Sequence, residues 1–210
     1  CMKSLWGMML SVSMLGLSAG LLSGCQESDA SVNRQPFAPA VSHFLSKDGV
    51  GPINGATPFN LRLIGDAFQG YNVTEETSFT EGDQYPVITV KERDKLLLSI
   101  NPDRARNKVF SIMIYDDFIG NRLAHKIGTR FADIYAYDKI EQCAAGVEEL
   151  AGKVLCIAPE SGNILYLFNG QWNGSKDVIP PLSTLADWKL ESFVWKPPLQ
   201  TATIETGSSE

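Results

Sequence analysis

Histidine is nearly absent, with two residues in 210. A nucleophile–base–acid triad needs a histidine that the fold places. His43 falls in a polar N-terminal stretch and His125 in the polar segment Asn121–Lys126, so both read as surface or loop residues. The same scarcity argues against zinc, because a two-cysteine site needs histidine partners to complete its ligand set; no metal and no cofactor are expected. The G-x-S-x-G elbow, the Walker loop and the H-E-x-x-H helix are missing as well. Basic charge is short too, since 18 Lys and Arg against 24 Asp and Glu leave a net charge of −6. An acidic domain repels nucleic acid and anionic headgroups unless it carries a local basic patch. The densest basic stretch, Lys91, Arg93, Lys95, Arg104, Arg106 and Lys108, is interrupted by Glu92, Asp94 and Asp103. It reads as a solvated hairpin face, and no nucleic-acid partner is expected.

The most informative feature present is Leu22-Ser23-Gly24-Cys25, which closes an apolar N-terminal run. Met2-Lys3 gives a short positive start and Leu5 to Leu22 an uncharged core, so residues 1–24 read as a lipoprotein signal peptide. The rival is a transmembrane helix, which needs about 20 strongly apolar residues; here Gly7, Ser11, Ser13, Gly16, Ser18, Ala19 and Gly20 dilute the run. Cys25 is then expected to carry a diacylglyceryl thioether and an acylated amine, palmitate-type chains that anchor the protein to a membrane. The competing reading of Cys25 is a free or disulfide-bonded thiol. Gln26, where inner-membrane lipoproteins carry Asp, favours the outer membrane, with the domain facing the periplasm.

Residues 25–48 read as a lipid-anchored flexible tether, residues 49–197 as one globular domain and residues 198–210 as a disordered tail. Cys143 and Cys156 lie in the domain. Two thiols in an oxidising envelope pair, and closing a loop of this length would stabilise the fold by roughly 3 kcal/mol.

The hydrophobic pattern points to an α+β fold of two helix-plus-three-strand repeats that share an antiparallel sheet, with helices on one face and the other face open. Gly55-Ala56-Thr57-Pro58-Phe59 and Gly128-Thr129-Arg130-Phe131 each introduce a helix, with Thr57 and Thr129 as N-caps and Pro58 at the first helical position. Strands are predicted at 87–91, 96–100 and 109–115, then at 154–158, 164–169 and 189–196. Alternation sets Phe110, Ile112 and Ile114 on one face, and likewise Ile164, Tyr166 and Phe168.

Two acidic pairs, Asp116-Asp117 and Glu148-Glu149, are the candidates for carboxylate chemistry. Adjacent strand residues point to opposite faces, which makes each pair a strand end or a solvated loop. Aromatics concentrate in the last third of the chain, and most should be core. Trp172 is the exception, because Asn169-Gly170-Gln171-Trp172-Asn173-Gly174 is a Gly-rich turn. Trp172 and Tyr166 form the candidate binding surface, with capping of the sheet end as the alternative role for Trp172.

Several residues together match a pattern: Gly49-Val50-Gly51, Ala56-Thr57-Pro58, Lys126-Ile127-Gly128-Thr129 with Phe131, Asp133 and Tyr135, then Cys143 and Cys156. Tyr166, Phe168, Gly170, Trp172, Gly174, Leu185, Trp188-Lys189 and Trp195 continue it. In this combined spacing the chain resembles the RpoE-regulated lipoproteins of Gram-negative bacteria, which share a domain of unknown function. The resemblance spans roughly residues 49–197. It implies an envelope lipoprotein and brings no catalytic residues with it.

The expected function is therefore a non-enzymatic binding module in envelope maintenance or envelope stress. It would be held to the membrane through Cys25 and would meet an envelope protein or a small ligand. The alternatives are an inhibitor of an envelope hydrolase and a carboxylate-dependent hydrolase acting through Asp116 or Asp117.

Overall fold

In the computed structural model of the protein the described residues are 43–80, 82–123, 125–135 and 142–198. Cys25, the signal peptide and most of the tether lie outside them, as does the tail beyond residue 198. No helix among the described residues is long and apolar enough to cross a membrane.

The fold is mostly β, with 13% of the described residues helical and 43% in strands. This corrects the expected α+β fold of two helix-plus-three-strand repeats. Eight strands form one antiparallel sheet in the order β3-β4-β5-β6-β11-β10-β9-β8. They are β3 (Asn72–Thr80), β4 (Asp83–Glu92), β5 (Lys95–Pro102), β6 (Val109–Ile114), β8 (Cys143–Ala145), β9 (Val154–Ile157), β10 (Ile164–Asn169) and β11 (Lys189–Trp195). β1 (Phe44–Ser46), β2 (Gly49–Val50) and β7 (Gly120–Asn121) make a second, small sheet in which β1 runs parallel to β7. The folded region thus starts before residue 49: Leu45, within the stretch read as tether, is buried at 2% exposure.

Two elements break the expected repeat. β3 pairs with β4 along its whole length, Asn72 opposite Lys91 through Thr80 opposite Asp83, although its sequence NVTEETSFT offers little apolar alternation. The helices are also slight. α1 (Leu61–Ala67) has two turns, while α2 (Phe131–Ile134) and α3 (Leu182–Leu185) have about one each. α1 begins at Asn60, whose side chain accepts from Leu63 N at 3.1 Å, and not at Thr57-Pro58. Thr57 Oγ1 instead accepts from Asn54 N at 2.9 Å and Pro58 bridges Lys108, so the chain is still extended there. Thr129 turns back on Lys126, its Oγ1 donating to Lys126 O at 2.7 Å, and does not cap α2.

One face of the large sheet carries the core. Ile88, Val90, Leu98, Ile100, Ile112, Ile114, Tyr166, Phe168, Phe193 and Trp195 are fully buried there, with Ile64 of α1, Phe68 just after it, Phe131 of α2 and Leu185 beside them. Full burial of each large side chain contributes about 1.5–3 kcal/mol. Phe110 does not join Ile112 and Ile114. The β5–β6 register runs Asn101 to Ser111 and then Pro102 to Val109, so Phe110 is an extra residue on β6. This bulge turns Phe110, 49% exposed, away from the core face.

Candidate functional site

The face of the sheet opposite the core bears a groove with a mixed polar and apolar lining. Across β4, β5 and β6 it presents Thr89, Ser99 and Ser111, which pair among their neighbours instead of with apolar groups. Thr89 Oγ1 meets Thr74 Oγ1 at 3.1 Å, Ser99 Oγ meets Tyr115 Oη at 3.4 Å, and Asn101 Nδ2 donates to Ser111 Oγ at 3.1 Å. Such short hydroxyl side chains fit a pleated strand while leaving depth above them. The groove over this floor has a volume of about 710 Å³. Its lining includes Glu76, Thr77 and Ser78 from β3, Tyr85 from β4, and Glu191, Val194 and Lys196 from the β11 side.

The opposite wall is the β8–β9 connection. Its turn Glu148–Leu150 is wound tightly: Glu148 has a left-handed φ of 51°, and a Cβ at Gly146 would lie 2.1 Å from Leu150 O. The base of this hairpin is held by the disulfide Cys143–Cys156, which joins directly opposed residues of β8 and β9. Lys153 Nζ reaches Glu191 Oε1 on β11 at 2.5 Å, and Tyr85 Oη donates to Glu149 Oε1 at 3.4 Å. The hairpin tip therefore meets β4 over the open face.

Two ion pairs border the groove, Glu76 with Lys91 and Glu191 with Lys153. Glu76 Oε1 accepts from Lys91 Nζ at 2.5 Å and from Thr89 Oγ1 at 3.0 Å, and these bonds, Lys91 first, hold its carboxyl below the usual range. Burial pushes the Tyr115 phenol up. Lys196 stands 5.6 Å from the centre of the Phe110 ring, within cation–π range. A second cavity of about 630 Å³, lined by Asp83, Gln84, Arg104 and Arg106 among others, adjoins the groove and shares Tyr85 and Phe110 with it. This lining can make reversible hydrogen bonds and ring contacts along an extended ligand.

The residues singled out from sequence lie elsewhere. Tyr166 is not on a binding surface: it is 0% exposed in the core, where His125 Nδ1 is 2.9 Å from its hydroxyl. Burial raises the Tyr166 phenol and lowers the His125 imidazole. His125 is thus tucked against a core tyrosine and is not a free loop residue. His43 stacks on Phe68 with 4.7 Å between ring centres and sits 2.9 Å from Ala67 O. Trp172 is half-buried and packs against the core. Its ring lies over Gly174, where an added Cβ would come within 2.1 Å, the arrangement of a sheet-end cap. A cavity of about 300 Å³ beside it shares only Lys153 with the groove.

The acidic pairs also separate. Asp116 pairs with Lys95 and its Oδ1 accepts from Phe118 N at 2.9 Å; Lys95 is the main reason its carboxyl is held low. Asp117 Oδ1 accepts from Ile127 N at 3.0 Å. Both carboxylates thus organise the loop after β6. Glu148 and Glu149 stand on the groove wall. The groove itself escaped the sequence reading because its parts come from β3 through β6, β11 and the β8–β9 turn. Phe110 gave no local clue, because alternation sets it with Ile112 and Ile114 and only the β5–β6 register turns it outward.

Among known proteins, the chain is 29% identical over 181 residues to "Uncharacterized protein YfeY" of Escherichia coli (strain K12), a match covering 84% of this chain and 93% of that protein. The crystal structure of the uncharacterized protein yfeY from Escherichia coli superimposes with a TM-score of 0.62 at 28% identity, covering 73% of this chain and 99% of that one. The family model described as "Protein of unknown function (DUF1131)" matches residues 32–197. That span takes in every strand of both sheets, and the chain belongs to the DUF1131 family, whose function is unknown.

Proposed function

We propose that this protein is an outer-membrane lipoprotein, anchored through Cys25, that works as a non-enzymatic binding module in envelope maintenance or envelope stress, and that the grooved sheet face is its binding surface. The observation that carries the binding role is the groove between β3–β6 and the β8–β9 turn, with hydroxyl side chains on its floor and ion pairs at its border. Binding sites are concave and need only a few placed polar groups. The surface expected from sequence, Trp172 with Tyr166, gives way to this one because Tyr166 is buried and Trp172 caps the sheet end. Asp116 and Asp117, the candidate carboxylates for hydrolysis, are engaged by Lys95, Phe118 N and Ile127 N, which favours a structural role for both.

Two measurements test the reading. Metabolic labelling with a palmitate analogue should mark the protein and fail to mark the Cys25→Ala variant; labelling of the variant would overturn the anchor. A photo-crosslinking residue at position 110, in cells, should capture a partner that the same probe at Val178, an exposed residue outside the groove lining, does not. Capture of nothing at 110 would overturn the binding surface.

A further inference from the structure

From the chemistry of the groove we infer its ligand class: an uncharged oligosaccharide of pyranose rings, lying along the hydroxyl floor and stacking on Phe110 and Tyr85. The inference rests on the groove being the binding surface. Three observations carry it.

The first is charge. Glu76 is engaged by Lys91, Glu191 by Lys153, and the Lys196 ammonium by the Phe110 ring. An anionic ligand in this groove would meet the carboxylates Glu76, Glu148, Glu149 and Glu191, and the lysine beside them, Lys153, is already bound to Glu191. A neutral ligand leaves these pairs in place, and the desolvation that an ion would suffer does not arise.

The second is the kind of hydrogen-bonding group. Thr77, Ser78, Thr89, Ser99, Ser111, Asn101 and the phenols of Tyr85 and Tyr115 line one trough. Hydroxyls both donate and accept and their hydrogens rotate to suit the partner. A ligand that alternates donor and acceptor at every carbon, as a sugar ring does, can use such a lining along its length. An extended peptide presents its donors and acceptors in its own backbone plane and gains most by pairing with a strand edge, whereas this groove is the face of the sheet.

The third is Phe110. Simple alternation along β6 would bury it; the bulge opposite Asn101 and Pro102 turns it outward, where its ring is 49% exposed. Bulges re-aim side chains at functional positions. Phe110 and Tyr85 border both cavities, of about 710 Å³ and 630 Å³, so the two adjoin at these rings and together offer more room than a single sugar needs. The apolar face of a pyranose has the size and polarity to cover such a ring.

The test is calorimetric titration of the full chain, in a detergent without a sugar headgroup, with cellotetraose, maltotetraose and chitotetraose, followed by hydrogen-exchange mass spectrometry. At least one tetrasaccharide should bind saturably and protect amides in 76–78, 85–89, 99–101 and 110–113. Phe110→Ala should weaken that binding about tenfold, and Phe110→Tyr, which keeps the ring, should restore it. Failure of all three sugars to bind, protection elsewhere, or unchanged binding by Phe110→Ala would each overturn the proposal. Crosslinking at position 110 separates the two levels: a captured peptide or protein overturns the sugar while keeping the groove, and capture of nothing overturns both.

Discussion

The Tyr85 hydroxyl donates to Glu149 across 3.4 Å, although the two are 64 residues apart and four strands lie between β4 and β9 in the sheet. In a flat sheet five strand spacings would separate them by about 24 Å. The contact exists because the sheet curls and the β8–β9 hairpin folds over its open face, and these two features together make the groove.

Removing that contact should loosen the hairpin without unfolding the protein. Tyr85→Phe is expected to shift global stability by no more than about 0.5 kcal/mol, as for other exposed pairs. Amide exchange in residues 147–151 should rise, and hydrogen-exchange mass spectrometry would detect it. Unchanged exchange there would mean that contacts other than this one hold the hairpin.

The disulfide should matter far more. Cys143→Ser with Cys156→Ser, or reduction of the native protein, is expected to lower stability by about 3 kcal/mol on the chain-entropy account. Guanidinium denaturation with and without reductant is the check; an unchanged midpoint would refute the contribution.

Acid should destabilise the fold through His125 before the carboxylates titrate. Burial beside Tyr166 lowers its folded pKa, so between that value and the unfolded one, about 6.5, the unfolded chain binds more protons. Stability is then full above the unfolded pKa and falls as pH drops through the folded one. Urea midpoints at about pH 7.5 and pH 5.5 should differ in the native protein, and the difference should shrink in His125→Gln.

Gly174→Ala should displace the Trp172 ring, since the new Cβ would lie 2.1 Å from it. Overpacking of this kind costs about 1–3 kcal/mol. A lower Tm with a red-shifted tryptophan emission is expected, while ligand capture at position 110 stays as in the native protein.

Asp117→Ala should lower stability by about 1 kcal/mol, because the backbone N–H of Ile127 loses its acceptor. The lost stability would appear in thermal unfolding.

Several elements were legible in the sequence. Apolar runs bounded by Glu92-Arg93-Asp94, Asn101-Pro102-Asp103 and Glu160-Ser161-Gly162-Asn163 fall in β4 to β6 and in β9 and β10, because strand alternation and turn residues act over a few neighbours. The Cys143–Cys156 pairing was legible from compartment and count. β3 was not, because an edge strand with one solvated face can be written in threonine and glutamate and still pair fully with β4. The helices were overread, since Thr57 and Thr129 carry a capping signature yet are used in turns.

What the sequence by itself determined is a run of local units: where β4 to β6 and β9 to β11 lie and which cysteines pair, each set by residues close in the chain or by a simple count. What only the tertiary structure decided is which face of each strand meets solvent at a bulge, that Tyr166 is buried against His125, and that the β8–β9 turn closes over β4. The physical reason is range. Alternation and turn chemistry are local, whereas register shifts, sheet curl and side-chain burial depend on strands that are distant in sequence, and the groove exists only where those strands meet.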